Sequence, residues 1–197
     1  MGDTNQTMSD SKKIDVLFGA DALAHLNRKT LQQLAEASER NYIRSEGELP
    51  QAIAAWHERM RNVLEQQQVA VVTIGDEQEV VSMAGFELLG KTSDGRPVYE
   101  AGRSVTLQEH RKKGYYRQVM ERVVEAIRQK SPNAVIVRST QIDTVEKSCR
   151  EMGFQSIPPA RYVQYKGGEQ WENLSERERQ GYADWQYFEL DLMRSPS

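Results

Sequence analysis

The spacing of hydrophobic positions changes along the chain, and each change marks an element. Residues 14–18 (Ile-Asp-Val-Leu-Phe) fit a short strand. Leu23, Leu26, Leu31, Leu34 and Ala35 then recur at near-helical spacing, and so do Ile53, Trp56, Met60, Val63 and Leu64. Pro50 stands just ahead of the second pattern, where the start of a helix tolerates proline. From residue 69 the period shortens: 69–74 is a β-rich run, 75–78 a turn and 80–89 the hairpin partner. A second turn cluster at 91–97 leads into a strand over 98–107. A helix fits 115–130, with Val119, Met120, Val123, Val124 and Ile127 on one stripe, and Ser131-Pro132-Asn133 stops it. Residues 134–137 form an apolar strand of the buried kind, and 145–152 a short helix closed by Gly153. Residues 162–165 read as a further strand, 166–184 as a long polar connection and 187–192 as the closing strand.

The order β-α-α-β-β-β-α-β-α-β-β predicts a mixed sheet covered by helices, of α/β or α+β class. It occupies one domain over 13–193, between polar tails at 1–12 and 194–197. The balance of 26 basic and 29 acidic residues, a net −3, argues against nucleic acid as a partner. No apolar run approaches the roughly 18 residues of a membrane helix, so no membrane partner and a cytoplasmic location are expected. A single cysteine and three scattered histidines offer no metal site.

Charge is unevenly divided. From 108 to 130 there are seven basic against three acidic residues, a local +4. Within this stretch the strand ending Val105-Thr106-Leu107 runs into the basic turn Arg111-Lys112-Lys113-Gly114 and then into the helix. Unpaired N–H groups at a helix start attract anions, and the basic side chains of the turn add to that field. A merely solvated basic helix face has the same composition.

The stretch Arg111-Lys112-Lys113-Gly114-Tyr115-Tyr116 resembles the Arg/Gln-x-x-Gly-x-Gly/Ala loop of the GNAT superfamily of N-acetyltransferases, departing from it at Tyr116. The late Cys149-Arg150-Glu151-Met152-Gly153-Phe154 is similar to the family's Tyr-x-x-x-Gly-Phe closure, with Cys149 where the family carries tyrosine. The family's order of elements covers 14–192. The resemblance implies a GNAT-like, mostly antiparallel sheet flanked by helices. It also implies acetyl-CoA as co-substrate and no metal. It assigns Arg111, Lys112, Lys113, Gly114, Tyr115 and Tyr116 to the coenzyme diphosphate, and Val105, Thr106 and Leu107 to pantetheine.

Amine acetylation needs a base, because an amine of pKa about 10.4 is only about 0.04% neutral at pH 7. Glu100, eleven residues before Arg111, matches the position of a base glutamate in some family members, and Glu87 on the preceding strand is the second candidate. Both are equally readable as solvated strand carboxylates. The leaving thiolate lacks the late-helix tyrosine as its acid, which costs about 2 kcal/mol at pH 7 for a thiol of pKa near 8.5. Tyr115, Tyr116, Tyr162 and Tyr165 are the alternatives. Residues 169–193 carry seven acidic residues against two arginines, with Trp171, Tyr182 and Trp185. That segment reads as an acidic wall for a cationic acceptor, or as a solvated loop with aromatic anchors. The expected function is direct transfer of acetyl from acetyl-CoA to an amine acceptor. A catalytically silent domain that binds acyl-CoA or a partner is the rival, and a homodimer stays open.

Overall fold

The computed structural model describes residues 13–43, 45–167 and 170–194. The expected tail at 1–12, residues 195–197 of the expected tail at 194–197, and Glu169 of the acidic segment lie outside the described residues.

Strand β1 (Ile14–Phe18) is followed by helices α1 (Ala20–Ala24), α2 (Arg28–Glu39) and α3 (Leu49–Glu65). Strands β2 (Val69–Ile74), β3 (Glu79–Lys91) and β4 (Pro97–Thr106) form a meander. Helix α4 (Tyr115–Lys130) crosses to β5 (Val135–Thr140), followed by α5 (Asp143–Glu151), β6 (Gln155–Ile157), α6 (Pro159–Gly167), α7 (Glu176–Ala183) and β7 (Gln186–Asp191). The sheet runs β1-β2-β3-β4-β5-β7-β6. Every neighbouring pair is antiparallel except β4 and β5. That exception follows from α4, because two parallel strands need a long crossover between them.

Helices cover both faces. Val119, Met120, Val123 and Ile127 of α4 pack with Ala70, Phe86, Tyr99 and Ile136 on one side. On the other, Leu34, Trp56, Met60 and Val63 pack with Val69, Val71, Met83 and Val105. Strand β2 is buried at every position, as a strand covered on both faces should be.

Three details differ from the sequence expectation. The pattern over 23–35 is two helices, because the Asn27 side chain caps α2 by accepting from the Thr30 N–H at 2.9 Å. Residues 162–165 are helical rather than extended. Tyr162, Val163 and Tyr165 are buried while Arg161, Gln164 and Lys166 are exposed, a face that only a helix presents. The strand of that region is the shorter β6. The polar connection contains α7, started by a Ser175–Glu178 capping box that its lack of buried residues hides from a hydrophobic-period reading.

Candidate active site

Strands β4 and β5 pair only at Val98–Val135, Tyr99–Ile136 and Glu100–Val137. Beyond Glu100 they part, although β4 continues to Thr106 and β5 stays paired to β7 as far as Thr140–Gln186. The register of β4 on β3 also shifts between Gly102 and Val105, where Arg103 adopts a left-handed φ of 50°. A cavity of about 660 Å³ opens at this split. Glu100, Gly102 and Ser104 line it from β4, and Arg138, Ser139 and Thr140 from β5. Glu87 of β3 and Trp56 and Arg59 of α3 close the opposite side.

Both candidate bases reach this cavity. Glu87 and Glu100 are cross-strand partners on β3 and β4. Their surroundings differ. Glu87 is neutralised by an ion pair with Arg103. Glu100 Oε1 instead accepts from the Tyr162 hydroxyl at 2.7 Å and from Ser139 Oγ at 3.3 Å. Neither donor is charged, and Oε2 has no hydrogen-bond partner among the described residues. Burial, and after it the charge of Glu100, pushes the Tyr162 phenol up from its ordinary value. Tyr162 therefore remains a donor to Glu100.

The glycine-containing turn leads into α4 as the sequence suggests. Gly114 is left-handed at φ 82° and caps α4 without a side-chain acceptor, so the first-turn N–H groups have no cap among the described residues. Lys112, also left-handed, and Lys113 are exposed and make no ion pair among the described residues. Arg111 folds back, its Nε donating to the Thr106 carbonyl at 3.2 Å and its Nη2 to the Ala37 carbonyl at 3.4 Å. Tyr115 is buried beneath the helix. Tyr116 turns inward beneath the sheet, away from the turn. Its ring lies 5.4 Å from the Arg138 guanidinium, and its hydroxyl lies against Ser104 and Cys149. Val105 and Leu107 point into the core under α2 and α3, and Thr106 Oγ1 meets Ser82 Oγ at 2.9 Å. The β4 edge facing β5 is left without a strand partner over these residues.

Cys149 is buried within α5, and burial pushes its thiol up from the ordinary value. The tyrosine hydroxyl next to it comes from α4 rather than α5. Tyr165 is engaged elsewhere, donating to Glu189 Oε2 at 3.1 Å.

The acidic segment does not form a wall here. Among its described residues only Trp185 lines the cavity. Glu189 pairs with Arg161 at 2.8 Å and Asp191 with Arg96 at 2.8 Å. Tyr182 packs near Tyr162, Trp171 and Tyr187, which is the aromatic-anchor arrangement. Sequence reasoning missed Arg138, Ser139 and Tyr42 at the cavity. Only Arg138 carried a signal, as a charge directly after the apolar run Val135-Ile136-Val137.

No protein-family model matches the sequence, and no curated protein matches it. Solved structures do match. A protein from Pyrococcus horikoshii OT3 superposes with a TM-score of 0.60 at 12% identity, over 91% of this chain and 98% of that one. An acetyltransferase of the GNAT family from Staphylococcus aureus Mu50 gives 0.56 at 13% identity, over 91% and 99%. The yncA protein of Salmonella typhimurium, solved with its cofactor acetyl-CoA, gives 0.53 at 15%, over 93% and 98%. These likenesses extend over nearly the whole of each chain, and the chain has the fold of the GNAT superfamily.

Proposed function

We propose that the chain transfers an acetyl group from acetyl-CoA directly to an amine, with Glu100 as the base. The observation that carries this reading is the position of Glu100 at the last β4–β5 pair, where the strands part into the cavity. Its free Oε2 is the group that accepts the proton of the incoming ammonium, directly or through one water. The neutral amine then attacks the thioester carbonyl and the coenzyme leaves as its thiolate. Direct attack needs positioning and a base, and no covalent intermediate on the protein. The diphosphate would sit at the first-turn N–H groups of α4, with Lys112 and Lys113 supplying charge and pantetheine along the unpaired edge of β4. Tyr116, with its hydroxyl beside Cys149 and Ser104, is the candidate to protonate the thiolate. Glu87 is the weaker base because Arg103 already compensates its charge.

Thermal unfolding with and without acetyl-CoA tests the coenzyme half of the reading. A ligand at 100 times its Kd adds about 2.7 kcal/mol of apparent stability. No shift at millimolar acetyl-CoA overturns the proposal. Thiol release on a panel of amines tests the other half. A shift without release on any amine would favour the silent acyl-CoA-binding domain, a reading that the absence of tyrosine at position 149 supports.

A further inference from the structure

Arg138 lies across the split between β4 and β5. It is 5% exposed, and a guanidinium does not give up its charge on burial. Its Nη1 donates to the Ala101 carbonyl at 3.2 Å and approaches the Met120 sulfur at 3.4 Å. Its Nη2 donates to Ser104 Oγ at 2.7 Å, and its Nε is buried with no partner. None of these partners is an anion. Of the carboxylates that line the same cavity, Glu39 pairs with Arg59 at 2.8 Å and Glu87 with Arg103, while Glu100, held by neutral hydroxyls, forms no ion pair with Arg138. A buried cation with no ion pair among the described residues is a costly arrangement, and a ligand that carries permanent negative charge against it lowers the cost.

The neighbours of Arg138 indicate which ligand brings that charge. One side of the guanidinium is bonded to β4, the strand whose free edge faces the cavity. Its face lies over Tyr116, the second residue of α4, directly after the glycine turn. Arg138 thus lies in the cavity beside the unpaired edge of β4 and the start of α4, where the proposed function puts the coenzyme. An acetyl group is neutral and leaves the charge uncompensated. An acyl chain that ends in a carboxylate pairs with it, and a carboxylate matches the fork of the guanidinium.

We propose that Arg138 is a specificity-determining residue that selects acyl-CoA donors whose acyl chain ends in a carboxylate, of the malonyl or succinyl class. The inference rests on the reading of the cavity as an acyl-CoA cleft. It places a carboxylate-terminated acyl group where that reading has acetyl, and leaves the coenzyme cleft and the role of Glu100 as stated.

Titration calorimetry of the full chain with acetyl-CoA, butyryl-CoA and succinyl-CoA tests it without knowledge of the acceptor. Butyryl and succinyl chains have the same number of carbons and differ in the terminal carboxylate. Succinyl-CoA is expected to bind about 10- to 100-fold more tightly than butyryl-CoA, the range of a hydrogen-bonded charge pair. In Arg138→Met that ratio falls to about one, and Arg138→Lys, which keeps the charge but not the fork, holds an intermediate ratio. The wild-type comparison stands by itself should Arg138→Met not fold. Equal or weaker binding of succinyl-CoA than of butyryl-CoA overturns this inference and leaves the coenzyme reading intact. Binding of none of the three overturns the coenzyme reading, and the inference with it.

Discussion

Tyr162 donates its phenolic hydrogen to Glu100 Oε1 at 2.7 Å, joining a helix far along the chain to the middle of β4. The contact holds the carboxyl group in the split and leaves Oε2 without a hydrogen bond among the described residues. It also divides the two cavity glutamates by role. One is held by a neutral hydroxyl, and the other is spent on an arginine.

Replacing Glu100 by Gln removes the proton acceptor at nearly constant shape. Acyl transfer to a competent amine is expected to fall about 10²- to 10⁴-fold, the usual contribution of a positioned base. Glu87→Gln should cost much less. Steady-state kinetics, with acetyl-CoA affinity measured in parallel, separate loss of chemistry from loss of binding. Full activity of Glu100→Gln across the pH range would remove the base assignment.

Alkaline stability follows from the buried phenols. The phenols of Tyr42, Tyr116, Tyr162, Tyr165 and Tyr187 are all raised above their ordinary value of about 10, each chiefly by burial. A raised phenol holds its proton in the folded chain after the unfolded chain has lost it. Its stabilisation is complete below pH 10 and is lost above it. Each such tyrosine steepens the decline by up to about 1.4 kcal/mol per pH unit. Denaturant titrations between pH 9 and 11 should show stability falling, with less fall in Tyr162→Phe. Phenolate absorbance from all eight tyrosines before unfolding would contradict this account.

Gly90 is a packing site. A Cβ built there would collide with the Tyr165 carbonyl oxygen, backbone that cannot swing aside. Gly90→Ala is expected to destabilise by about 1–3 kcal/mol, the cost of overpacking. A lowered denaturant midpoint with unchanged slope is the signature.

The turn before α4 predicts a salt dependence. Lys112 and Lys113 are exposed cations beside unpaired N–H groups. Replacing both by Ala should weaken acetyl-CoA binding about 2- to 10-fold at low salt, and the difference should shrink as ionic strength rises. Calorimetry at two salt concentrations checks it. A salt-independent loss would point to altered loop structure instead.

The elements of the scaffold were legible wherever one face of a segment is buried. The α4 stripe and β2 announce themselves because each repeats its apolar positions at its own period. The 162–165 segment was misread because four residues with tyrosines at each end satisfy a strand's composition as well as a helix's face. Helix α7 was missed because it buries nothing. At the candidate site, Glu100, Glu87 and the glycine turn were legible through a resemblance. The partners that separate the two glutamates were not, because Tyr162 lies 62 positions from Glu100 and Arg103 lies 16 from Glu87.

The sequence by itself determined the order of elements from β2 to α5, the uneven charge and the turn that opens α4, since these depend on neighbours within a few residues. Tertiary structure alone decided that β4 and β5 part after Glu100. It also decided that Tyr116 points inward to stand beside Cys149, and that Arg138 lies buried with no ion pair among the described residues. Those outcomes depend on which distant side chains share one low-dielectric space. Burial multiplies the worth of a charge or hydrogen bond, and burial is a property of the assembled sheet and helices rather than of any segment.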